Sequence, residues 1–223
     1  MGLALTHRIS AARIGSPPHP TLLLLHGLGS NEDDLLSMAP ELDPRTLIIS
    51  ARAPFAYRWG GFMWYDLEQH GPGLGSASID EGLGLLRRFV KEFLEEYPVD
   101  PQRLYLGGFS MGAAMAGALA LLEPESVAGA IMISGYLPPD PRGDYKSQDA
   151  AGHPFFQAHG TVDPVVPIEA ARATRDYLSQ SPVDLTYREY PTGHEMSYEE
   201  LRDLTAWYSG VLDASEPRSS PVS

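Results

Sequence analysis

Leu104-Tyr105-Leu106-Gly107-Gly108-Phe109-Ser110-Met111-Gly112-Ala113-Ala114-Met115-Ala116-Gly117-Ala118-Leu119-Ala120 decides the fold of this chain. An apolar run ends in a tight, glycine-flanked turn, and a run of small apolar residues leaves it. The order is strand, turn, helix, with Ser110 at the apex of Gly108-Phe109-Ser110-Met111-Gly112. A G-x-S-x-G turn in that context lifts the serine hydroxyl above the sheet, and its glycines let strand and helix approach closely. Taken alone, the pentapeptide also fits a serine that only caps the helix.

Working outward, the neighbouring apolar runs have the same character. Thr21-Leu22-Leu23-Leu24-Leu25-His26, Thr46-Leu47-Ile48-Ile49-Ser50, Ala128-Gly129-Ala130-Ile131-Met132-Ile133-Ser134 and residues 154–159 are continuous rather than alternating. Such runs suit strands covered on both faces. Leu185-Thr186-Tyr187-Arg188-Glu189-Tyr190 alternates and reads as a sheet-edge strand. Between them lie helical patterns over 78–97, 111–122, 168–178 and 197–209; the first carries Ile79, Leu83, Leu86, Val90 and Leu94 and is stopped by Pro98. Strands alternating with helices predict one α/β domain with a mostly parallel sheet and helices on both faces. The domain is expected to span 1–212, followed by a flexible Ser/Pro-rich tail over 213–223. Residues 51–77, rich in aromatics and glycine, stand out as a long loop of functional interest.

Bulk properties exclude several classes. The 223 residues suit a single α/β unit, and 43% hydrophobic content supplies a large core. With 16 basic and 29 acidic side chains the formal charge is −13, which argues against nucleic acid and against anionic membranes. The chain has no cysteine, so disulfides, thiolate catalysis and cysteine zinc sites are excluded. Its seven histidines are scattered without ligand spacing, so neither metal nor cofactor is expected. No basic-then-apolar leader opens the chain and no run nears bilayer length, so a cytoplasmic location without stable membrane insertion is expected. A homodimer stays open.

An activated serine needs a base and a carboxylate to orient it, and in nucleophile-turn enzymes these follow the serine in the order acid, histidine. His153 precedes a strand and falls at the wrong end of a parallel sheet; His159 ends that strand and reads as mainly structural. His194, in Tyr190-Pro191-Thr192-Gly193-His194-Glu195-Met196, follows the last strand at its carboxyl end, within reach of Ser110. Asp163, in His159-Gly160-Thr161-Val162-Asp163-Pro164-Val165-Val166-Pro167, also lies just past a strand. Asp140, Asp144 and Asp149 lie in a surface segment, Asp176 is within a helix and Asp184 starts a strand, so position selects Asp163. An Asx-turn before Pro164 is its alternative reading. The oxyanion needs donors too. The Met111 N–H at a helix start is one, and the Leu28 N–H in His26-Gly27-Leu28-Gly29-Ser30 is the other, although a glycine turn without a ligand role fits that segment equally.

His26-Gly27-Leu28-Gly29-Ser30-Asn31-Glu32, Gly108-Phe109-Ser110-Met111-Gly112, His159-Gly160-Thr161-Val162-Asp163-Pro164-Val165-Val166-Pro167 and Gly193-His194-Glu195 are four motifs whose order resembles the phospholipase/carboxylesterase family of α/β hydrolases, relatives of the acyl-protein thioesterases. The resemblance spans residues 21–210. It implies an α/β-hydrolase fold with no large cap domain, a Ser110, Asp163, His194 triad, Leu28 and Met111 as backbone oxyanion donors, and metal-free ester or thioester hydrolysis. Many relatives have Gln where this chain has Met111, which makes the pocket more apolar. Trp64-Tyr65-Asp66 resembles the family's Trp-aromatic-Asp segment. Its flanks, including Tyr57-Arg58-Trp59-Gly60-Gly61-Phe62-Met63, look more like bacterial esterases than eukaryotic thioesterases.

The expected activity is therefore that of a carboxylesterase on a small-molecule ester with a short to medium acyl chain. Leu28, Trp64, Met111 and Met196 are the candidate pocket residues, although Trp and Met serve equally as core. A lysophospholipase or acyl thioesterase would differ only in the leaving group. A dienelactone-hydrolase-type enzyme would normally use cysteine, which is absent here. A non-catalytic binding module would keep the pocket and have no need of serine, acid and histidine together.

Overall fold

In chain order the elements are β1 His7–Ser10, β2 His19–Leu25, β3 Leu47–Ala51, β4 Phe55–Ala56, β5 Phe62–Met63, α1 Ile79–Glu96, β6 Val99–Phe109, α2 Met111–Leu122, β7 Gly129–Ile133, β8 Pro154–Gly160, α3 Ile168–Ser179, β9 Asp184–Tyr190 and α4 Tyr198–Ser215. They come from a computed structural model that describes residues 2–67, 78–140 and 143–216. Seven strands form one sheet in the order β1-β3-β2-β6-β7-β8-β9, and β4 and β5 form a small separate hairpin. Every pairing in the large sheet is parallel except β1 with β3. This is the α/β-hydrolase architecture with helices on both faces.

The continuous apolar runs fill two cores at once because successive side chains point to opposite faces. Leu23, Leu25, Ile49, Leu104, Leu106 and Met132 pack with α1 and α2 residues such as Leu86, Phe89, Phe93, Met115 and Leu119. Leu22, Leu24, Ile48, Tyr105, Ile131 and Phe156 pack on the other face against Leu204, Tyr208 and Leu212 of α4. α2 has no polar face to present, and its residues 111–121 are all buried. α1 starts with a reciprocal cap: Ser78 Oγ accepts the Glu81 N–H at 3.1 Å and Glu81 Oε2 accepts the Ser78 N–H at 2.7 Å.

Several boundaries differ from the sequence expectation, among them the start of β6, which lies at Val99 and not at Leu104. β1 adds an antiparallel edge strand that carries no alternating pattern. The long loop over 51–77 contains the β4–β5 hairpin, and its residues 68–77 lie outside the described residues. Helix α4 runs to Ser215, so the tail expected from Asp213 begins inside a helix; its residues 217–223 lie outside the described residues. Its stripe of Leu204, Tyr208 and Leu212 continues to bury apolar surface beyond Ser209. Among the described residues, no helix is long and apolar enough to cross a membrane.

Because β2, β3, β6, β7, β8 and β9 are parallel, the segments after their carboxyl ends gather at one edge of the sheet. Those segments hold Leu28, Ser110, Asp163 and His194.

Candidate active site

Ser110 sits between β6 and α2 with φ 54° and ψ −117°, a conformation that a side chain rarely adopts. Its N–H donates to the Ile133 carbonyl of β7 at 2.8 Å, which holds the turn against the sheet. The two flanking glycines are required by contact. A Cβ on Gly108 would stand 2.2 Å from the Gly112 carbonyl carbon, and one on Gly112 would stand 1.9 Å from the Leu25 oxygen. The strained serine is thus over-determined by a helix that can approach only because those positions lack side chains.

From Ser110 a hydrogen-bonded line runs inward. Ser110 Oγ lies 2.9 Å from His194 Nε2, and His194 Nδ1 lies 2.7 Å from Asp163 Oδ2. The carboxylate can only accept, so Nδ1 carries the proton and Nε2 is free to take one from the serine. The Asp163 side chain is fully buried while His194 retains partial access to solvent. Burial alone would push the Asp163 carboxyl up. The His194 hydrogen bond and the backbone N–H groups of Val166 and Val165 outweigh it and hold the carboxyl below its ordinary value. Those two N–H groups also make the Asx-turn before Pro164 that is the alternative reading of Asp163, so the turn and the contact with His194 coexist in one residue. The Phe109 ring packs on the His194 imidazole, with centroids 4.9 Å apart.

His159 and His153 stay outside this line. His159 is fully buried, donates from Nε2 to the Val166 carbonyl at 2.9 Å, and stands 3.4 Å from Asp163 Oδ2. It braces the acid's loop, in keeping with a structural reading. His153 caps the opposite end of β8, its backbone oxygen accepting the Asp184 N–H.

The loop after β2 reaches the serine. A Cβ on Gly27 would lie 3.2 Å from the Phe109 ring and 3.5 Å from Ser110 Cβ, so the chain passes directly alongside. The Leu28 and Met111 N–H groups have no acceptor among the described residues. Gly29 N–H donates to the Phe62 carbonyl and Phe62 N–H to the Ser30 carbonyl, each at 2.9 Å, which ties the loop to β5. Behind it Glu32, itself buried, meets the Arg52 guanidinium through two short hydrogen bonds of 2.5 and 2.6 Å.

The four candidate pocket residues separate. Leu28 lines a cavity of about 230 Å³ with Ala56, Tyr57, Arg58, Met63, Asp66 and Leu67. Trp64 does not line it. Its side chain is fully buried, because the indole N–H finds its acceptor inside, at the His26 carbonyl 2.9 Å away. The Met111 side chain is likewise turned inward, its sulfur accepting the Trp64 main-chain N–H at 3.3 Å. Met196 lines a different groove, with Phe109, Met38 and Tyr198. Sequence reasoning passed over Tyr57 and Met63, although both lie in the aromatic loop singled out on composition. It also passed over Phe109, whose place inside the turn motif was the available signal. Among the described residues no group of His, Asp and Glu is placed to hold a metal.

A hydroxyl hydrogen-bonded to an imidazole, with a buried carboxylate behind and N–H groups alongside that have no acceptor among the described residues, is an arrangement suited to acyl transfer. Comparison with known proteins points the same way. The family model described as Phospholipase/Carboxylesterase matches residues 9–210. A probable carboxylesterase of Oryza sativa subsp. japonica is 30% identical over 89% of this chain and 80% of its own length. Acyl-protein thioesterase 1 of Eremothecium gossypii is 29% identical over 99% of this chain and 100% of its own. Among solved structures, the carboxylesterase of Bacillus cereus superposes with a TM-score of 0.78 at 25% identity, covering 92% of this chain and 94% of that one.

Proposed function

The chain belongs to the phospholipase/carboxylesterase family of α/β hydrolases, and from that premise we propose that it hydrolyses short- to medium-chain acyl esters through an acyl-enzyme on Ser110. The observation that carries this reading is the unbroken line Ser110–His194–Asp163, with contacts of 2.9 and 2.7 Å. His194 takes the serine proton as Ser110 Oγ attacks the ester carbonyl. Asp163 holds the imidazole in its Nδ1–H form and stabilises the imidazolium. The N–H groups of Leu28 and Met111 receive the charge that develops on the carbonyl oxygen. His194 then protonates the departing alcohol. Water, deprotonated by the same imidazole, cleaves the acyl-enzyme and restores the serine.

The acyl chain occupies the cavity beside Leu28, whose Met63 and Leu67 walls are apolar and whose volume of about 230 Å³ suits a modest chain. Relatives that bear the name acyl-protein thioesterase favour a second reading, in which the same site cleaves thioesters. The test is a chain-length series of p-nitrophenyl esters alongside matched S-acyl thioesters, with Ser110→Ala as control. Rates should peak at short to medium chains, and the variant should lose several powers of ten. Near-wild-type hydrolysis by Ser110→Ala would end the serine mechanism, and a peak at long chains would end the assignment of the cavity.

A further inference from the structure

Two consecutive peptide groups beside Ser110 are pinned by side chains from inside the protein. The carbonyl of the His26–Gly27 peptide accepts the Trp64 indole N–H at 2.9 Å. The carbonyl of the Gly27–Leu28 peptide accepts from His26 Nδ1 at 2.7 Å. The far side of that imidazole, Nε2, meets the Ala53 backbone N–H at 3.0 Å. A backbone N–H can only donate and a carbonyl can only accept, so the partners dictate a neutral ring with its proton on Nδ1. Both rings are fully buried, and their centroids stand 5.7 Å apart. Burial is also the main cause that lowers the His26 pKa, which keeps the ring neutral.

The consequence follows from peptide planarity. In a trans peptide the C=O and N–H point in opposite directions. Holding the Gly27 carbonyl toward the interior therefore turns the Leu28 N–H outward, on the side where Gly27 passes Ser110. Trp64 braces the second donor as well, since its own main-chain N–H donates to Met111 Sδ. Building on the acyl-transfer reading above, we propose that His26 and Trp64 are positioning residues: a buried hydrogen-bond clamp that aims the Leu28 N–H at the carbonyl oxygen of the substrate. Neither side chain touches substrate. Their effect belongs to the transition state, where charge on that oxygen is greatest, and not to substrate binding.

The clamp is tested with Trp64→Phe, which removes one donor and keeps a smaller aromatic ring, and with His26→Ala and His26→Asn, of which only the second can still donate toward the Gly27 carbonyl. Each is measured for kcat, KM and the Ki of a trifluoromethyl ketone, whose hydrate anion mimics the oxyanion. Outright loss of an oxyanion donor costs on the order of 10²–10³ in kcat, so a misaimed one is expected to cost about 10-fold or more. That loss should fall on kcat with KM nearly unchanged, Ki should rise by the same factor, and His26→Asn should recover part of what His26→Ala loses. In the unaltered protein, ¹⁵N chemical shifts of the imidazoles should report His26 as neutral with the proton on Nδ1, whatever the variants do. The clamp is overturned by an Nε2–H or charged His26, by a folded Trp64→Phe with unchanged kcat, or by losses confined to KM with Ki unmoved. Absence of any Ser110-dependent hydrolysis in the wild type would sink the esterase reading and the clamp together. Ser110-dependent hydrolysis whose kcat is unchanged by these substitutions sinks the clamp alone.

Discussion

At the scale of single residues, which side chains meet is legible where chain position alone decides it. Ser110, Asp163 and His194 each follow directly on a strand of a parallel sheet, so their convergence follows from topology before any side chain is placed. Trp64 was not legible in that way. A tryptophan is equally at home in a pocket wall and a core, and what buries this one is an acceptor, the His26 carbonyl, that lies far away in sequence. His26 reads as the end of an apolar run and the first residue of the glycine loop, with no role for its ring, since the partner that fixes its tautomer is Ala53. Glu200 is a third case that sequence could not reveal. It occupies the first turn of α4, where an acidic residue is ordinary, yet it is fully buried and neither carboxyl oxygen has a hydrogen-bond partner among the described residues. Burial pushes its pKa up to about 7. An unfolded glutamate ionises near pH 4.3, so between about pH 4 and 7 the folded state holds the extra proton. Stability contributed by the neutral form is therefore lost as pH rises through that window and stays lost above it. Glu200→Gln removes the charge and keeps the shape. At pH 8 it should melt several degrees above wild type, by the scale of roughly 2–4 °C per kcal/mol for a chain of this size. The gap should narrow at pH 5.5. Melting curves at the two pH values decide it, and a gap that does not change with pH would mean that Glu200 is not the group responsible.

At the scale of elements, what was read correctly had a period or a stop signal. The continuous runs of β2, β3, β6, β7 and β8 and the alternation of β9 are visible because each packs on one or two defined faces. β1 escaped notice because His7-Arg8-Ile9-Ser10 holds one apolar residue and gains its place by pairing with β3 at the sheet edge. The amphipathic pattern of α4 is read to Ser209, while Leu212 still meets the core three residues later. The sharpest element-level dependence is the contact of α2 with β2. Gly112 faces the Leu25 and His26 carbonyls, and an added Cβ would stand 1.9 and 2.7 Å from their oxygens. Backbone atoms cannot swing aside as a flexible side chain can, so the helix itself would have to move. Gly112→Ala is expected to destabilise the fold by about 1–3 kcal/mol or more, the range for overpacking, despite alanine's better helix propensity. Because the moving helix carries the Met111 N–H and anchors Ser110, esterase turnover in the fraction that stays folded should fall as well. A denaturant titration with parallel kinetics checks both. Unchanged stability would show that α2 can shift without cost, and would remove the steric argument for the second glycine of the turn.

At the scale of the whole molecule, the sheet converts sequence order into a candidate site by placing the segments that follow the carboxyl ends of its parallel strands at one edge. On the proposed function, the molecule's charge meets a substrate at that same edge. A formal charge of −13 surrounds a 24.3 kDa domain, and the mouth itself carries Asp66 beside the cavity and Asp34 beside the neighbouring groove. Arg58 on the cavity wall opposes them in part. Such a field lowers the local concentration of an anionic ester and leaves a neutral one unaffected. It reaches about 30 Å at 10 mM salt and about 8–10 Å near physiological ionic strength, so salt should relieve the repulsion. Two esters with the same acyl chain, one with a neutral and one with a carboxylated alcohol, separate this effect from fit. The kcat/KM of the anionic ester should rise several-fold between 10 and 200 mM salt, carried by KM, while that of the neutral ester stays level. Charge acting over this distance changes encounter and not the barrier, so kcat should hold for both. If the two esters respond alike, the net charge plays no part in substrate choice, and discrimination rests on the shape of the cavity beside Leu28 alone.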